Sequence, residues 1–234
     1  MPFQTTVNIQ PAPGQEGDFA SANPRASALA GPGAFVAGAA GLTAGRFVWR
    51  DPVNANQLNN FGAGKPVGFL HREFTALITN FLAEYGGLIQ PGMEATAFKA
   101  GDFWAKQYGG ISAAVGMKVY ANVLTGAPSA AASGAPTQGA TFTGVISAGV
   151  LTASVVTGVI TPGQPITGTG VDIPTYIGAQ LTGTPGGAGT YSVIGDQTAA
   201  STAMISYTTI ETKWEVQSAC LTLELFKMSN VSEG

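Results

Sequence analysis

The sequence predicts a mainly β fold: a β-barrel or β-sandwich body with an extended N-terminal arm and one short helix, plus a small inserted β-sandwich or barrel domain. Three observations lead there. Only 10 % of the 234 residues are charged, against about 25 % in an average soluble domain. The chain carries 33 Gly and 14 Pro, which punctuate it into short runs bounded by turns. Within those runs apolar and polar residues alternate, the period of a half-buried strand.

The clearest alternation lies near the C-terminus. Ile210, Thr212, Trp214 and Val216 fall on one face, with Glu211, Lys213, Glu215 and Gln217 on the other. Leu221, Leu223 and Leu225 predict a second strand, and Met117 to Leu124 a third. Further upstream, strands fit Thr6 to Gln10 and Gly45 to Trp49. Gly92 to Lys99 and Asp102 to Lys106 read as a hairpin around Gly101. Phe74, Leu77, Ile78, Phe81, Leu82 and Tyr85 recur at helical spacing, which predicts a helix over 72–85 closed by Gly86-Gly87. Residues 1–66 carry scattered aromatics among Gly, Pro and Asn. They read largely as arm and loop that need a surface to lie on.

Charge divides the chain. Between Gly126 and Thr209 the only charged residues are Asp172 and Asp196. This predicts a body formed by 1–125 and 210–234, a linker over 126–140, and an inserted, outward-facing β domain over 141–209. Six strands are expected in the insert, at 142–147, 150–156, 164–168, 176–182, 190–194 and 202–207, with turns such as Ser147-Ala148-Gly149 between them.

Composition also excludes functions. One His and one Cys cannot build a four-ligand zinc site or a disulfide framework within one chain. His71 is the sole candidate general base, and its neighbour Glu73 has no catalytic geometry with it on a strand or helix. Asp172 and Asp196 are isolated acids without further oxygen ligands nearby. The Gly183 to Gly189 run lacks the Lys-Ser/Thr of a phosphate loop. No catalytic residue, cofactor or metal is therefore expected. Net charge is −3 with ten Lys and Arg, which argues against a nucleic-acid partner. The run Gly33 to Gly45 is too short and Gly-rich to span a bilayer, and MPFQTTVNIQ lacks the features of a secretion signal. Cys220, Trp104 and Trp214 read as core. Phe3, Phe19, Arg25, Phe47, Trp49 and Arg72 are the candidate residues for a subunit or capsid interface, because aromatics and Arg dominate interface energetics.

Specific strings add to this. MPFQTTVNIQPAPGQEGDFASANPRA, LAGPGAFVAGAAGLTAGRFVW, GFLHREFTALITNFLAEYGGLIQPGMEATAFKAGDFWAK, GMKVYAN and TKWEVQSACLTLELFKMS resemble the head decoration, or structural cement, proteins of tailed bacteriophages. The resemblance implies a non-enzymatic virion protein, made in the host cytoplasm and placed on the outer surface of the capsid. It implies the major capsid protein as partner, and a homotrimer. TPGQPITGTGVDIPTYIGAQLTGTPGGAGTYSVIGDQTAASTAM is similar to a Gly/Thr-rich β module recurring in phage virion proteins. The alternative is a tail or fibre component whose β domain binds a carbohydrate or receptor.

Overall fold

The computed structural model describes residues 14–73, 87–195 and 197–231. The expected helix over 72–85, the strand over 6–10, Phe3 and Asp196 fall wholly or almost wholly outside them. Every regular element among the described residues is a strand.

In chain order these are β1 (Ala26–Ser27), β2 (Val36–Ala37), β3 (Leu42–Thr43), β4 (Phe47–Arg50), β5 (Gln57–Asn59), β6 (Gly68–Leu70), β7 (Leu88–Ile89), β8 (Ala97–Ala100), β9 (Asp102–Lys106), β10 (Lys118–Asn122), β11 (Pro128–Ala131), β12 (Gln138–Ser147), β13 (Val150–Gly158), β14 (Pro165–Gly168), β15 (Thr175–Gly183), β16 (Gly189–Ile194), β17 (Ala199–Tyr207), β18 (Thr209–Val216) and β19 (Leu225–Ser229). A six-stranded sheet runs β1-β8-β6-β4-β5-β2, and a five-stranded sheet runs β11-β10-β18-β19-β9. The pair β3-β7 stands apart, and β12-β13-β16-β15-β14-β17 close into a barrel.

Period-2 alternation explains how the six-stranded sheet is buried on both faces. Phe47, Trp49 and Phe69 point into a core shared with Phe103, Val119, Trp214, Val216, Phe226 and Met228 of the five-stranded sheet. Their neighbours Val48 and Leu70 point the other way, into a second core with Phe35, Leu42, Leu58 and Ile89. Such near-continuous apolar runs belong to strands covered on both sides. Residues 14–66 are therefore not an arm: they supply five strands and much of the second core. Their buried apolar residues are widely spaced because they pack against distant strands.

Three further expectations change. The stretch 92–106 is no hairpin, since β8 pairs with β1 and β6 while β9 pairs with β19 in the other sheet. Gly101 makes the crossing at φ 135°, where an added Cβ would lie 3.0 Å from Arg25 Cβ and 3.2 Å from the Phe103 ring. The 126–140 stretch is no free linker either. Gly126 holds φ 65° and accepts a 2.8 Å hydrogen bond from Phe47 N, then β11 pairs with β10 along four residues. Small residues hid this strand: Ala127 before it and Ala130 within it are buried without the bulk that marks a core strand in sequence. Finally, Leu221 and Leu223 do not start a buried strand. They sit in a turn, with Leu223 at φ 64°, and the inward residues of β19 are Phe226 and Met228, one position out of the expected register.

The barrel has a core of its own, including Phe142, Ile146, Leu151, Ile166, Ile177, Tyr191 and Met204. All six expected strands are present, and Ala148-Gly149, both at positive φ, form the tight turn between β12 and β13. The body sheet is interrupted by this barrel: β10 pairs with β18 across it, from Asn122↔Thr209 to Lys118↔Glu215.

Candidate interaction surfaces

Apart from Phe3, which lies outside the described residues, the residues expected at an interface separate into two groups. Phe47 and Trp49 are 0 % and 3 % exposed and belong to the body core; they present no surface. Aromatic identity could not distinguish a core ring from an interface ring.

Phe19, Arg25 and Arg72 come together, but they fasten the chain to itself. Residues 17–20 lie along the free edge of β9. Gly17 N donates to Trp104 O at 2.8 Å, Trp104 N to Asp18 O at 2.9 Å and Ala20 N to Asp102 O at 2.9 Å. This covers an edge that would otherwise template strand addition. The Phe19 ring stacks on His71 at 4.1 Å and meets Phe98 edge-on at 5.3 Å. The exposed Arg25 guanidinium lies 3.9 Å from the centre of the same ring. Arg72 donates to Asp18 at 2.6 Å and to Gln15 Oε1 at 2.6 Å. His71 is held below its usual pKa, chiefly by burial, against the opposing pull of Glu73 and Asp18. It is a packing element of this cluster.

Asp102 completes the anchor, accepting from Ser21 Oγ at 2.5 Å and Asn23 Nδ2 at 2.6 Å. Burial works against its ionisation, but hydrogen bonds from Ser21, Ser229 and Asn23 outweigh it and hold the carboxyl below the usual range.

A second carboxylate organises the β11 side. Glu211 accepts from Gly134 N at 2.7 Å, Tyr120 Oη at 2.7 Å and Ser133 Oγ at 3.2 Å. The Gly134 N–H is the main cause of its lowered pKa, helped by Tyr120, Ser133 and Lys118 and opposed by burial. Tyr120 is pushed up to about 12, first by burial and then by Glu211. A carboxylate whose pKa falls on folding stabilises fully above its ordinary value of 4.5 and loses that contribution as pH falls through the lowered one. Glu211→Gln is therefore expected to be less stable than wild type at pH 7. The two should converge as pH drops below about 4.5, in denaturant titrations at stepped pH. A constant gap across that range would remove Glu211 from the account.

Two surfaces were not foreseen. At one end of the five-stranded sheet, the 109–116 and 217–224 loops are tied together by paired hydrogen bonds between Ala113 and Cys220, 2.9 and 3.1 Å. They expose Ile111 (52 %), Val115 (64 %), Leu221 (62 %) and Leu223 (64 %). Cys220 is half-buried below them, packed against the core. The residues come from segments about 110 positions apart, so no local pattern announces the patch. The other surface is a groove edged by Lys65, Lys99 and Lys213. Among the described residues no group of His, Cys, Asp and Glu could hold a metal ion, and no helix is long and apolar enough to cross a membrane.

Residues 3–158 match the XM1 gp53 minor capsid protein family, and the matched range runs through the body to the end of β13. The chain belongs to that family. It is a phage capsid protein, and the virion is its location. Neither the curated proteins nor the solved structures give a match.

The family match supports a structural role, and the described sites agree in kind. The buried polar groups of the body tie strands and turns to one another.

Proposed function

We propose that this minor capsid protein binds the exterior of the assembled capsid, bridges neighbouring capsomers and so stabilises the head. Membership of a minor capsid family is the observation that carries the reading. The Ile111, Val115, Leu221 and Leu223 patch supports it, because clustered exposed apolar side chains on a rigid scaffold mark interaction sites. The major capsid protein is the proposed partner, and a homotrimer the proposed assembly. Residues 1–137 with 208–234 form the binding body, and the almost uncharged barrel faces outward as an inserted domain. No enzymatic activity is part of this role.

The physical argument is linkage. A ligand that binds only the closed shell stabilises each site by RT ln(1 + [L]/Kd), about 2.7 kcal/mol at a hundredfold excess over Kd. Repeated over many sites, even ~1 kcal/mol each decides the fate of a shell. Particles assembled without the protein should form and then rupture at lower temperature, or sooner under osmotic shock. Adding back the purified protein should restore them. Heads that are equally robust with and without it would refute the stabilising role. Immunogold label on tails alone would move the assignment to a tail or fibre component.

A further inference from the structure

Two hollows on one side of the molecule share Lys65 and Glu211, and together they make one groove. The first, about 470 Å³, opens between the two body sheets. Lys65, Lys99 and Lys213 surround it, and Trp214 lines it. The second, about 420 Å³, lies between body and barrel, walled by Pro136, Pro165, Ile173, Tyr176, Tyr207 and Ile210.

The charged half is unbalanced. All three lysines are exposed, and none forms an ion pair with an acid among the described residues. Among the described residues the single acid lining either hollow is Glu211, whose carboxylate is already bonded to Gly134, Tyr120 and Ser133. Three lysines against one acid leave a net positive site in a chain whose net charge is −3. A concave site with low-dielectric walls concentrates such a field.

The other half is apolar and poor in free hydrogen-bonding groups. Tyr207 Oη is engaged by Thr167 Oγ1 at 3.3 Å, and Tyr120 Oη donates to Ala132 O or Glu211, which leaves Tyr176 Oη as the one tyrosine hydroxyl of this wall without a hydrogen bond among the described residues. Tyrosine faces interleaved with prolines take flat apolar side chains and extended backbone. A glycan requires a dense set of free donors and acceptors, which this wall does not offer. We propose that the groove receives an extended segment of the capsid shell protein, apolar at the barrel end and acidic at the lysine end. This rests on the capsid-binding reading above.

The test uses shells from particles lacking the protein, and the full-length chain. Lys65→Glu/Lys99→Glu/Lys213→Glu should bind shells at least tenfold more weakly than wild type, with a shallower dependence on salt. Tyr176→Ala should weaken binding several-fold with salt dependence unchanged. The lysines are exposed, so an unchanged melting temperature checks that the triple variant is folded. Variants that bind shells as tightly as wild type overturn the groove and leave the capsid reading standing. If wild type itself fails to bind shells, the capsid reading falls. Overlapping synthetic peptides of the shell protein then decide the groove separately. Capture of acidic-apolar peptides by wild type and not by the triple variant supports it; no capture, or capture of a glycan instead, overturns it.

Discussion

Gln107→Ala should destabilise the body by roughly 3 kcal/mol, a large share of the ~5–15 kcal/mol that holds a typical domain together. The Gln107 side chain is 0 % exposed and sits where the five-stranded sheet nearly closes on itself. Its Nε2 donates to Ile111 O at 2.8 Å and Ala130 O at 3.4 Å. Its Oε1 accepts from Ala130 N at 2.9 Å and Gly109 N at 3.3 Å. The amide thus pairs with β11 as a backbone group would, joining the end of β9 to the opposite edge strand. Truncation leaves the Ala130 N–H and C=O buried without partners, at about 1–3 kcal/mol for each unsatisfied group. Gln217→Ala, on an exposed residue, should stay within about 0.5 kcal/mol of wild type. Urea unfolding reads both; equal midpoints would mean that the site relaxes or admits water. The barrel has a separate core, so its own transition should stay in place while that of the body shifts.

Gln107 also marks the limit of what the sequence discloses. Strands with strict alternation were legible: β10, β18 and all six barrel strands fall where the pattern places them. So was the burial of Trp104 and Trp214, since large rings must leave water somewhere. What stayed hidden depends on partners far along the chain. A Gln that closes a sheet looks like any polar residue after a strand. Residues 1–66 read as an arm because, in the described part, Phe35, Leu42, Val48 and Leu58 find their core neighbours far along the chain, in Leu70, Ile89 and Ala97 of β6, β7 and β8. The β8–β9 junction looked like a hairpin because a turn glycine and a sheet-crossing glycine have the same letter. Phe19 and Arg72 do carry strong contacts, as an aromatic ring and a guanidinium can, yet those contacts lie within the chain. The apolar patch and the lysine groove are assembled from separated segments, and only the fold brings them together.

Replacing residues 138–207 by a short Gly-Ser turn should leave a folded body that unfolds cooperatively and still binds its shell through the lysine end of the groove, several-fold more weakly than wild type because Tyr176 and Tyr207 are gone. The argument is in the stalk. The chain enters and leaves the barrel side by side: Gln138 pairs with Tyr207, and Thr208 N donates to Thr137 O at 2.8 Å. Below that point Val123 N donates to Thr208 O at 2.9 Å, and Asn122 pairs with Thr209. The cut ends therefore already lie at hairpin distance, where a tight turn closes them at little entropic cost. Neither body core contains a barrel residue. The deletion does remove contacts at the seam. Tyr176 packs 3.7 Å from where a Cβ on Gly64 would stand, and Gly163 approaches the Gly62 carbonyl. Gly163 is buried and Tyr176 half-buried at this seam, and neither belongs to a body core, so a loss of about 1–2 kcal/mol is expected. A deletion protein that is insoluble, or that lacks the wild-type body transition, would make the barrel part of one folding unit. If the deletion protein folds but loses the shell, the barrel end of the groove, with Tyr176 and Tyr207, supplies most of the binding, and the outward-facing placement of the barrel is wrong.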